Sequence, residues 1–81
     1  MDATEIRLQV LEELQRIAPE MEPEQLRGDR PLRDEVDLDS MDWLRLLGAL
    51  HKRLGVIIPE ADYRHLDSLD ALVEYLGARL E

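Results

Sequence analysis

Trp43, Leu46, Leu47, Leu50 and Leu54 stand at steps of 3, 4, 7 and 11 from the first of them. A helix puts such positions on one side, as a single buried stripe. Asp39 stands where a capping side chain is wanted, and Gly55 follows as a natural stop. These signals predict a helix from about Ser40 to Leu54, and its apolar stripe must be covered by other elements. Two segments can cover it. Ala3, Ile6, Val10, Leu14 and Ile17 share one helical face, with Thr4 as a candidate cap and Pro19 as terminator. Leu69, Leu72, Val73, Leu76 and Leu80 share another, in a helix starting near Ser68.

Between the first two helices, Pro19, Pro23, Gly28 and Pro31 interrupt any period as far as Asp39. A loop this long in a small domain needs a reason. Leu26, Leu32, Val36 and Leu38 are spaced apolar anchors, so the loop reads as pinned to the core, with a short helical turn near Pro23–Leu26. After Gly55, "VIIP" reads as an extended connector, and Pro59 can open a short helical segment, "EADYRHL". The expected fold is all-α: one domain over residues 1–81, a small antiparallel bundle of three main helices plus one short helix, with a long first loop.

The chain has no cysteine, hence no disulfide, thiolate metal site or thiol nucleophile. Its net charge of −9 argues against nucleic acid and anionic membrane as partners and favours basic surfaces on other proteins. No apolar run approaches membrane-spanning length, and the N-terminus lacks a signal-peptide layout. A cytoplasmic monomer with no membrane insertion is expected. The acidic run Asp34, Glu35, Asp37, Asp39 and Asp42 lacks the sixth-position glycine and twelfth-position glutamate of an EF-hand, and no metal site is assigned. His51 and His65 lack ligand spacing and read as surface residues.

A short pattern occurs twice, "LDSMDWL" from Leu38 and "LDSLDAL" from Leu66. Ordinary helix-start chemistry accounts for the second: Asp67 or Ser68 caps, and Asp70 stands in the first turn. The first ends the long loop, where function tends to sit. Its Met41 lies about 160° from the centre of the buried stripe, which predicts an exposed methionine beside an exposed serine. No histidine or lysine is close in sequence to activate Ser40, and so small a bundle offers little concavity for a nucleophile's pocket. Ser40 therefore reads as a substrate of another enzyme rather than a catalyst. A phosphoryl group there would sit at a helix N-terminus, which favours negative charge.

"LDSMDWLRLLGALHKRLGVIIPEADYRHLDSLDALVEYL" resembles the second half of acyl carrier proteins, and "PLRDEVDLDS" resembles the loop leading into their attachment motif. "DSMD" alone is a weak signal, since a near copy stands at Asp67–Asp70. Its spacing to Ile58-Pro59 and to the last helix makes the match specific, whereas the first helix matches only in period. The resemblance implies that Ser40 receives 4'-phosphopantetheine from coenzyme A by a separate phosphopantetheinyl transferase. The arm's thiol, which the chain itself lacks, then carries acyl groups as thioesters between acyl-transferring or condensing enzymes of a fatty-acid, polyketide or other pathway. The chain would not be an enzyme itself. Asp39 would assist the transferase encounter. Met41, Asp42, Arg45, Lys52 and Arg53 would meet partners, and Trp43, Leu44, Leu47 and Ile58 would shelter an acyl chain. Alternatives are an aminoacyl or peptidyl carrier, or an unmodified helical adaptor that kept the fold.

The chain departs from that family in places. Asp37 stands where a glycine is common, and Trp43 where a smaller residue is common. From Trp43 to Leu54, a stretch usually acidic in the family, there is no acidic residue, and Arg45, His51, Lys52 and Arg53 stand instead. Lys52 and Arg53 also complement the helix C-terminus electrostatically, whereas Arg45 is mid-helix. The departure implies a specialised carrier of a dedicated pathway rather than the housekeeping one.

Overall fold

A computed structural model describes residues 2–80. Helix α1 spans Ala3–Ile17, α2 Leu32–Glu35, α3 Ser40–Leu54 and α4 Leu69–Leu80. Two 3-10 segments, Pro23–Gln25 and Glu60–His65, lie in the connections. The result is the expected all-α bundle of three main helices, measuring 31 × 25 × 21 Å. Helix α1 packs against both α4 and α3.

The cap of α1 is Asp2 rather than Thr4: the Asp2 carboxylate accepts from the Glu5 amide at 2.9 Å. Aspartate caps better than threonine, so the helix begins at the earlier and stronger of the two. Ala3, one residue inside the cap, is exposed, while Ile6, Val10 and Leu14 are buried. Helix α3 has the bounds its local signals predict. Asp39 accepts from the Asp42 amide at 2.8 Å, and Gly55 adopts φ 72°, its amide donating to the His51 carbonyl. That left-handed geometry costs a residue with a Cβ about 1–2 kcal/mol, which makes glycine the natural terminator.

The core is aliphatic. Val10 and Leu14 of α1, Leu46 and Leu50 of α3, and Leu69, Leu72 and Leu76 of α4 have no exposed surface. Burying each leucine contributes about 1.5–3 kcal/mol before conformational entropy is counted. The long first connection is pinned to this core as expected, with Leu26, Leu32, Val36 and Leu38 all buried. It also contains the helix α2, absent from the sequence expectation. The Leu32 amide donates to the Asp67 carbonyl at 2.6 Å, the Asp70 amide donates to the Gly28 carbonyl at 3.0 Å, and Pro31 and Ser68 form an isolated bridge. These bonds join the loop to the start of α4, and no local pattern announces them.

Candidate functional site

Both serines open helices, but they are used differently. The Ser68 hydroxyl is half-buried and accepts from the Ala71 amide at 3.1 Å, as a capping serine does. Ser40 is the first residue of α3, one position inside its aspartate cap. Its hydroxyl is exposed and makes no hydrogen bond among the described residues. Asp39 holds the third amide of the helix, which leaves the first two, with the dipole behind them, facing outward beside Ser40.

Ser40 lies on the lip of a cleft of about 450 Å³, within the ordinary range for a ligand site. Ser40, Trp43 and Leu44 line it from α3, Pro31 and Arg33 from the first connection, and Tyr63, Arg64 and Asp67 from the second. The bonds between Leu32 and Asp67 and between Gly28 and Asp70 bring those two connections together. Apart from the charged groups its walls are apolar. Trp43 is 7% exposed, one helical turn along from Ser40, whereas Leu44 is 47% exposed. Leu47 and Ile58 are buried in the core and do not line the cleft.

The remaining predicted site residues are distributed along α3. Met41 is 61% exposed. Arg45, exposed, stands 3.9 Å from Asp42 one turn back. Lys52 is exposed and has no ion-pair partner among the described residues. Arg53 reaches across to α1, donating to Gln9 (3.0 Å), Glu12 (2.6 Å) and the buried Glu13 (3.0 Å). The Glu12 hydrogen bond, chiefly, holds its proton more tightly than usual against the opposing cost of burial. Its guanidinium thus ties α3 to α1. His51 is exposed, as expected of a surface residue, with its Nδ1 2.9 Å from the Val56 carbonyl oxygen.

Sequence reasoning missed Pro31, Arg33, Tyr63, Arg64 and Asp67. They come from two segments about 30 residues apart and share no period with Ser40, so only the folded chain assembles them. The segment carrying Tyr63 and Arg64 is fastened to α4 by a polar cluster. The Tyr75 hydroxyl donates to Asp62 at 2.8 Å, and Arg79 donates to the same hydroxyl at 2.9 Å while lying 4.7 Å over the ring. Burial, then the Asp62 bond, pushes the Tyr75 phenol above its usual pKa.

Among known proteins, the family described as "Phosphopantetheine attachment site" matches residues 5–76. The fold matches the solution structure of a candidate acyl carrier protein from Anaplasma phagocytophilum with a TM-score of 0.87. That match covers 100% of this chain and 94% of the other, at 25% identity. No curated protein matches the sequence.

Proposed function

The chain belongs to the phosphopantetheine-attachment family, and from that membership we propose that Ser40 is the residue bearing its prosthetic group. It is a carrier protein whose cofactor is 4'-phosphopantetheine and which presents cargo to other enzymes rather than transforming it. The observation that carries the assignment is the contrast between its only two serines. Ser68 is occupied as a cap, whereas Ser40 offers an exposed hydroxyl with no hydrogen bond among the described residues, at the lip of an apolar cleft.

The residues fit the group. In the transfer, a phosphopantetheinyl transferase removes the Ser40 proton. An Oγ–phosphorus bond forms as the bond from that phosphorus to the nucleotide part of coenzyme A breaks. The attached arm supplies a thiol, which holds acyl groups as thioesters. The chain's own contribution is positional. Asp39 keeps the first turn of α3 wound by holding the Asp42 amide, so that Ser40 projects from a fixed helix end. Trp43, Leu44 and Tyr63 offer apolar surface beside the attachment point, and Leu47 and Ile58 form the core behind it. Incubation with coenzyme A and a broad-specificity transferase, followed by intact mass and peptide mapping, tests the assignment. One increment, on the peptide containing Ser40, is expected; an unmodified chain would overturn it.

The partner surface is proposed to be the exposed side of α3, with Met41, Asp42, Arg45 and Lys52 making contacts beyond the serine. Arg53 belongs to this set by position, but its bonds to α1 make its role there structural. A docking helix without a carboxylate beyond Asp42 supports a dedicated pathway with its own acyl-handling enzymes. Partners whose basic patches expect acidic residues there meet like charge, and such juxtaposition costs several kcal/mol.

A further inference from the structure

The chain is acidic overall, yet its arginines are nearly all engaged. Arg7, Arg16, Arg27, Arg30, Arg45, Arg53 and Arg79 each have a carboxylate within 4.0 Å. Only Arg33 and Arg64 have none among the described residues. They come from different connections, 31 positions apart in sequence, and both line the cleft on whose lip Ser40 stands. With 19 carboxylates against 10 basic side chains, an unpaired arginine is not a default outcome in this chain, and two in one cleft define a local cationic site. Asp67, the one carboxylate on the lining, pairs with neither.

Ser40 is flanked by Asp39 and Asp42. A phosphodiester formed on its hydroxyl adds a permanent negative charge between two carboxylates. Arg45 is paired with Asp42, and Lys52 is 12 residues along α3, about 18 Å by helical rise. The cations on the cleft lining itself that can offset that charge are Arg33 and Arg64. Guanidinium groups suit the task, because their planar forks match phosphate oxygens and stay charged at any relevant pH.

Resting on the attachment at Ser40, we propose that Arg33 and Arg64 hold the phosphodiester of the arm, so that the arm lies against the chain's own cleft between Trp43 and Tyr63. The ligand is the diester and not an anionic cargo, since the charge is present in the holo form with a free thiol. The carrier thus has a docked resting state, from which a partner enzyme must draw the arm.

The test uses the holo protein with a free thiol, its loading checked by mass. Arginine Nε–Hε resonances are compared between unmodified and holo forms, and the phosphorus spectrum of the holo form is compared with that of the same protein in urea. The Arg33 and Arg64 signals are expected to move on modification while that of Arg27 stays. The diester resonance should stand apart from its urea position and move most of the way toward it between about 0.01 M and about 1 M salt, where the Debye length falls from about 30 to about 3 Å. In the Arg33→Gln/Arg64→Gln protein it should coincide with the urea position, and in Arg27→Gln it should not. Unmoved arginine signals in a fully loaded protein would overturn the proposal alone, as would a diester resonance indifferent to the double substitution. Failure of Ser40 to load would overturn the attachment reading and this one with it.

Discussion

Replacing each serine by alanine should separate chemistry from stability in opposite directions. Ser68→Ala removes the oxygen that accepts from the Ala71 amide at 3.1 Å, at a half-buried helix start. Loss of such a cap costs about 1 kcal/mol. In a domain of this size that lowers Tm by about 4–8 °C. Ser40→Ala removes an exposed oxygen with no partner among the described residues, and the capping bond from Asp39 to Asp42 stays. Its stability should change by no more than about 0.5 kcal/mol, as for a surface substitution. Loading should follow the reverse order: abolished in Ser40→Ala, retained in Ser68→Ala. Thermal unfolding of the unmodified proteins reads the first quantity, and intact mass after incubation with coenzyme A and transferase reads the second. A Ser40→Ala protein that still gains the increment would refute the assignment. A Ser68→Ala protein as stable as the parent would refute the account of how the two motifs divide their roles.

Three further outcomes follow from the geometry. Trp43, on the cleft wall and one turn from Ser40, should change its fluorescence between thiol and acylated forms, and identical spectra across several chain lengths would mean that cargo stays outside the cleft. Arg45→Glu/Lys52→Glu should improve turnover by general fatty-acid synthase enzymes at low salt, where charge contacts are least screened, and an unaltered parent that already matches a housekeeping carrier would disprove specialisation. Arg53 is left out of that pair because its loss would unfasten α1 from α3. Tyr75 titrates above its unfolded value near 10, so the folded state holds the phenolic proton more tightly. Its contribution is present below pH 10 and lost as pH rises through the folded pKa; urea titrations from pH 9 to 11 should show that decline, and Tyr75→Phe should flatten it.

The parts of this structure legible in its sequence are those fixed by neighbours. Asp39 and Gly55 bracket α3 because capping and left-handed termination depend on a few adjacent residues. Pro59 and Ser68 announce the starts of the last two helical segments for the same reason. Helix α2 was not legible: Leu32–Glu35 is too short to show a period, and it is held by a backbone bond to Asp67, 35 positions away. Nor was the use of Arg53, whose carboxylates lie 40 and 41 positions back on another helix. The site divides likewise. The exposure of Met41 could be read from one turn of helix and the candidacy of Ser40 from the spacing of its motif to Ile58-Pro59 and the last helix, whereas Arg33, Tyr63 and Arg64 join the cleft only through tertiary packing.

The 3-10 segment Glu60–His65 has no fully buried residue, and Tyr63 is its only partly buried aromatic. Its hold on α4 is the polar cluster of Asp62, Tyr75 and Arg79. Tyr63 also packs on the core, and buried Ile58 and Leu66 flank the segment, so this wall of the cleft is anchored at both ends and exposed between them. Partial openings need far less free energy than unfolding the whole domain, and they set how fast backbone amides exchange with solvent. The amides of Glu60–His65, in a segment with no fully buried residue, should exchange ahead of those of α3. Tyr75→Phe, which removes the bond to Asp62, should raise that exchange rate while leaving the amides of α3 protected.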